Sequence, residues 1–150
     1  MPSNDILVMI TMKRTYTELM SIEDFYERYR YLKCISDVGV ATFGGSRWLN
    51  QTLYQSKEWK EFRNDIIIRD RGYELSFFDD DNYKIHGQIY IHHLNPLTKQ
   101  QVLNRDPCIF DPENVVSCSL KVHNAIHYGD ESGLPFIYAP RYENDTIPWR

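Results

Sequence analysis

Apolar residues recur at helical spacing in the first half of the chain and alternate with polar ones in parts of the second. Phe25, Tyr29 and Leu32 fall on one helical face. Ser21 precedes them in N-cap position, with Asp24 three residues on, so Ile22–Cys34 reads as an amphipathic helix. The segment VGVATFGG, residues 38–45, breaks it, and Gly44-Gly45 is a turn without phosphate-cradling spacing. Ser46 starts a second helix whose apolar members are Trp48, Leu49, Leu53 and Tyr54. Ser56 caps a third, with Trp59, Phe62 and Ile66 as its buried stripe and Arg71-Gly72 as its end.

Beyond Gly72 the period changes. Tyr73–Phe78 alternates loosely and reads as a strand, and the polar residues 79–82 form a turn. Gln88–His93 reads as a strand, with Ile89 and Ile91 on one face and Gln88, Tyr90 and His92 on the other. A long connection follows, carrying Pro96, Pro107 and a helical turn over Thr98–Asn104. Asp111-Pro112-Glu113-Asn114 is a turn by composition, and Val115–Cys118 is a short β-branched strand. Leu120–His127 forms a short helix ended near Gly129. Pro135, Pro140 and Pro148, interleaved with Phe136, Tyr138, Tyr142 and Trp149, describe an extended arm pinned by aromatics. The expected fold is therefore α+β in one domain. A helical part (1–72) packs on a strand–loop–strand–helix core (about 73–130), and an arm (131–150) closes the chain.

At 150 residues, 42% of them hydrophobic and 14% aromatic, the chain can bury a real core. No run approaches the roughly 18–20 apolar residues of a membrane span. The apolar Ile6–Met12 lacks a basic leader and a cleavage site, which argues against a signal peptide. Three cysteines without a C-x-x-C pair favour a reducing cytoplasm. The net charge of −4 gives no support to a strong non-specific DNA binder. Any nucleic-acid contact must come from one face, for which Lys57, Lys60 and Arg63 on the third helix and Arg69 at its end are the candidates. The same three-residue spacing also describes an ordinary solvated helix face.

Histidine placement carries the chemistry. Four of the five histidines lie between His92 and His127. Neighbouring His92 and His93 end the Gln88–His93 strand, and His123 and His127, four apart, share one helical face. Imidazole is the commonest neutral ligand for zinc and similar ions, so this set reads as a metal site. His86 sits in an exposed turn.

His92-His93, Asn114 and His123-x3-His127 together resemble the HNH (ββα-metal, His-Me finger) nucleases. Upstream, Tyr54-x-Ser56-x-x-Trp59-x-x-x-Arg63 with Ile68-Arg69-Asp70 is similar to the helix that precedes many HNH motifs. With His86-Gly87, Asn95-Pro96, Tyr128-Gly129-Asp130 and the closing Asn144-Asp145-Thr146-x-Pro148-Trp149, the chain resembles small HNH proteins of tailed bacteriophages over most of its length. The resemblance implies a metal-dependent DNA endonuclease that nicks or cuts both strands in the host cytoplasm. It implies His93 as general base, and His92, His123 and His127 as ligands of one divalent ion (Mg, Mn, Ni or Zn). Asn114 would hold the loop and orient His93, although an Asx-turn alone also explains an asparagine there. The resemblance further implies partners in genome packaging, the terminase large subunit and the portal. The chain departs from the family where many members carry two C-x-x-C pairs: no cysteine stands near Arg71–Leu75, and only Cys118 stands at the second place. No structural zinc is expected, with aromatic packing in its stead.

A reading of another class stays open, in which the chain is a non-catalytic DNA-binding or packaging module that keeps the metal fold for structure. A zinc hydrolase on some other substrate is a distant third, since neither H-E-x-x-H nor a serine-elbow motif is present.

Overall fold

The computed structural model describes residues 14–33 and 47–135, with the side chains of 47–50 excepted. The Ile6–Met12 run, the 38–45 break, Cys34 and the arm beyond 135 lie outside the described residues. In chain order the helices are α1 (Tyr16–Met20), α2 (Phe25–Leu32), α3 (Arg47–Tyr54), α4 (Lys57–Asp70), α5 (Lys99–Leu103) and α6 (Leu120–Tyr128). Strand β1 (Tyr90–His93) precedes α5 and strand β2 (Val115–Cys118) precedes α6. The class is mixed α+β. Among the described residues, no helix is long and apolar enough to cross a membrane.

The strands form a two-stranded antiparallel sheet, with Tyr90 opposite Cys118, His92 opposite Val116 and His93 opposite Val115. Alternation then sorts their side chains. Val116 and Cys118 join the larger core, made with Leu19, Phe25, Tyr29 and Leu32 from α1 and α2 and Val122, Ala125 and Ile126 from α6. On the other face, Ile91 packs against a second core of Leu53, Trp59, Leu97, Val102 and Ile109. The sheet is thus lined by α6 on one side and α4 on the other.

Local chemistry sets most element ends. The Ser56 hydroxyl accepts from Trp59 N at 3.2 Å to start α4, and Arg71 (φ 57°) ends it in the left-handed region. Thr98 and Gln101 close a reciprocal capping box on α5. Ser119 caps α6, and Gly129 (φ 75°) terminates it.

Two expectations need correction. The helix assigned to Ile22–Cys34 begins at Phe25, because Asp24 rather than Ser21 takes the cap: its carboxylate accepts from Glu27 N at 3.0 Å. Ser21 instead closes α1, donating its hydroxyl to Glu18 O at 2.5 Å. Two residues with capping chemistry stood three apart, and the helix ahead claimed the first.

The second correction concerns Tyr73–Phe78, which is not a strand. Glu74–Ser76 is a 3-10 turn in which Leu75 (φ 51°) and Ser76 (φ 56°) are left-handed. Tertiary bonds hold this unfavourable backbone. Arg28 Nη1 donates to Leu75 O at 3.0 Å and to Ser76 O at 3.1 Å, and Ser76 Oγ donates to Asp70 Oδ1 at 2.8 Å.

Asp70 ties α4 to the sheet. Fully buried, it accepts from Ser117 N at 2.8 Å and from Arg69 Nε at 2.8 Å. Arg69 in turn donates to Val115 O at 2.7 Å and Pro112 O at 2.5 Å. This pair thus binds β2 through Val115 O and Ser117 N. Nearby, the buried Glu74 carboxylate accepts from Ser119 N at 2.6 Å, and the Arg71 guanidinium lies 4.7 Å from the Phe78 ring centre.

Candidate metal centre

Three imidazoles from two elements meet on the α6 side of the sheet. His92 arrives from β1. His123 and His127 arrive from α6, where the four-residue interval stacks them on the face turned to β1. One ligand nitrogen from each lies within 4.8 Å of the others. The ring centres are 5.8 Å apart for His92 and His123, 5.1 Å for His92 and His127, and 4.3 Å for His123 and His127. His92 is buried, the other two half-buried.

The electrostatics suit a cation. Burial, then the neighbouring His127 and His123 rings, hold the His92 imidazole well below its ordinary pKa. Burial and His127 bring His123 to about 4, and burial also lowers His127. All three rings are therefore neutral near pH 7, with lone pairs available. His92 Nε2 is buried and has no hydrogen-bond partner among the described residues. A buried ring nitrogen is costly to leave unpaired, and a metal ion would satisfy it. The residues present fit a divalent ion.

His93, the next residue, points to the opposite face. Its Nε2 lies 3.1 Å from Ile109 O, and its ring stacks on Trp59 with centroids 5.4 Å apart and planes at 28°. A carbonyl can only accept, so Nε2 carries the proton and Nδ1 keeps the lone pair. Burial lowers its pKa to about 4 against the opposing pull of Ile109 O.

Asn114 controls the loop that supplies this carbonyl. Its Nδ2 donates to Cys108 O at 2.9 Å, one peptide before Ile109. Its Oδ1 accepts from Asn95 N at 3.1 Å and Asn95 Nδ2 at 2.8 Å, just past the end of β1. Asn114 is buried and bridges both ends of the long connection.

The candidate DNA contacts divide. Arg63 is half-buried, donates Nη2 to Ile89 O at 2.7 Å and borders a cleft of ≈ 550 Å³. Tyr54, Trp59, Gln88, Tyr90, His123 and His127 also line that cleft. Lys57 and Lys60 are exposed on α4, and Lys57 reaches Glu61 at 3.8 Å. Arg69 is bound to Asp70 and two carbonyls, with its guanidinium 3.5 Å from the Tyr16 ring centre. It is committed to the fold, because a charged hydrogen bond to buried backbone is not released cheaply. His86 is exposed.

Sequence reasoning missed several supports. Ile109 acts through its backbone carbonyl, which leaves no side-chain signature, and Asn95, noted only within the motif likeness, ties Asn114 through its backbone N and its side-chain Nδ2. Asp70 entered only as part of the Ile68-Arg69-Asp70 likeness, without its structural role. Tyr90, stacked on His123 at 5.8 Å and 28°, could have been found from its place two residues before His92 on the same face.

Comparison with protein-family models, curated proteins and solved structures finds no match. The functional reading therefore stands on the site's own chemistry and on the motif likeness.

Proposed function

We propose that this chain is a metal-dependent endonuclease of the HNH type, hydrolysing phosphodiester bonds in DNA. One observation carries the reading: three neutral imidazoles converge on one face of a β-loop-β-α unit, while the adjacent His93 is fixed separately in a defined tautomer. His92, His123 and His127 would hold the ion, as the unpartnered His92 nitrogen favours. A bound divalent cation offsets charge on the phosphate and on the leaving oxygen. An all-imidazole set suits Zn or Ni better than Mg, which prefers oxygen ligands.

The protein's own groups do the rest. His93 Nδ1 takes the proton of a water whose oxygen attacks phosphorus. The bond from phosphorus to the 3′ oxygen breaks, leaving 3′-hydroxyl and 5′-phosphate ends as the motif likeness implies. The Ile109 carbonyl keeps the base in the required tautomer, and Asn114 keeps that carbonyl in place. Arg63, on the lining of the cleft, would meet a phosphate oxygen.

A plasmid incubated with Mg, Mn, Ni or Zn, and separately with chelator, tests the reading. Nicked or linear product with at least one ion and none with chelator supports it. The non-catalytic module is favoured by the net charge of −4 and by Arg69's commitment to the fold. It prevails if chelation unfolds the protein while no ion ever supports cutting. A packaging role beside a phage terminase and portal rests on the motif likeness, and co-purification with a large terminase subunit would test it.

A further inference from the structure

We infer that the substrate of this site is unpaired DNA, with one nucleobase seated in the cleft beside the histidines and its phosphodiester at the imidazole cluster. The inference rests on the nuclease reading and narrows its substrate.

The cleft lies between α3 and α4 on one side and α6 on the other, along residues 88–91. Its volume of ≈ 550 Å³ is that of a small-molecule site, suited to a nucleotide and too small for a duplex. Its walls suit a base. Tyr54, 39% exposed and packed on Trp59 with centroids 5.0 Å apart, and the half-buried Tyr90 line it with aromatic surface, and Ile89 and Ile91 add apolar surface. Because Tyr90 also stacks on His123, a base resting near it brings its own phosphate close to the candidate ligands.

Polar groups are few and suitably placed. Gln88 is exposed on the lining, and its amide can both donate to and accept from a base edge. Arg63 is anchored by Ile89 O through one nitrogen, and a guanidinium has further N–H groups to offer a phosphate.

Charge argues against a duplex. Duplex affinity grows with the number of phosphates neutralised by Lys and Arg. Here Lys57 is near Glu61, Arg69 is bound to Asp70 and the chain is net negative. Base stacking on aromatic rings needs fewer cations and applies to single strands, whose bases are free to leave the stack.

The test uses the full chain with Mn and an end-labelled strand of about 20 nucleotides, offered alone or annealed to its complement. The single strand should be cut about tenfold faster or more. Tyr54→Ala should raise KM for it by about 5–150-fold, the range of one lost stacking contact, and Tyr54→Phe should restore it. Gln88→Ala, at an exposed position, should raise KM by a few fold. It stands in for Tyr54→Ala should that variant fail to bind Zn. A duplex cut as fast as the single strand, or wild-type KM in these variants, overturns the inference and leaves the nuclease reading standing. If wild type cuts neither substrate, the nuclease reading fails, and anisotropy of a labelled oligothymidylate with Zn-loaded protein decides for the cleft. Binding that Tyr54→Ala weakens supports it, and no binding sinks it.

Discussion

His92 and His93 are consecutive in one four-residue strand, yet their surroundings differ in kind. His92 faces α6 among two other imidazoles, with a ring nitrogen that has no hydrogen-bond partner among the described residues. His93 faces α4, with Trp59 stacked on its ring and Ile109 O on its Nε2. The strand's two-residue period makes the separation. Two identical residues become a metal-ligand candidate and a base candidate because one face gathers three imidazoles while on the other Trp59 and Ile109 O fix a single ring.

The largest expected effect would break this division outright. His93→Ala should lower cleavage by about 10²–10⁴-fold, the usual general-base range, with Zn affinity by calorimetric titration nearly unchanged. His127→Ala should lose Zn affinity as well as cleavage. If both variants lose the ion alike, the two faces do not have separate tasks.

Next in size is the support beneath both faces. Asp70→Ala removes a buried acceptor from Ser117 N and Ser76 and strips Arg69 of its carboxylate partner. Denaturant unfolding should show a loss of about 3–5 kcal/mol, the cost of breaking a buried pair by removing one partner. A loss under 1 kcal/mol would mean the sheet is held elsewhere.

Acid sharpens the contrast further. The folded His93 refuses a proton until about pH 4, whereas an unfolded imidazole accepts one near 6.5. The unfolded state therefore binds more protons in this window. Stability is fully present above about pH 6.5 and falls as pH drops toward 4, by about 3 kcal/mol for this one ring. Urea unfolding of metal-free protein at pH 7.5 and 4.5 measures it, and His93→Gln should flatten the slope by one proton's share. His92 and His123 slope in the same direction, and bound Zn should suppress protonation at those two while leaving the His93 share.

Asn114→Ala is the smallest change. Unpairing Cys108 O and Asn95 N should cost about 1–3 kcal/mol, and cleavage should fall with Zn affinity kept. A variant with wild-type activity would reduce Asn114 to a turn residue.

Much of this was legible in the chain. The second strand emerged at Val115–Cys118, and α6 ran to the expected glycine, because β-branched runs, Ser caps and left-handed glycines act locally. The Tyr73–Phe78 strand failed because its fate lay with Arg28, distant in sequence. A periodic pattern records which side chains seek burial, and it is silent about a guanidinium that captures two carbonyls.

Backbone period alone sets which side chains share a face: His123 with His127 along a helix, and His92 apart from His93 along a strand. Packing of distant segments brings the first strand over α6 closely enough for three ring nitrogens to meet, and it commits Arg69 to the fold while Arg63 borders the cleft. The physical reason is range. Backbone periods and caps act within a few residues, whereas ring convergence and the partner of a long charged side chain depend on how distant segments pack.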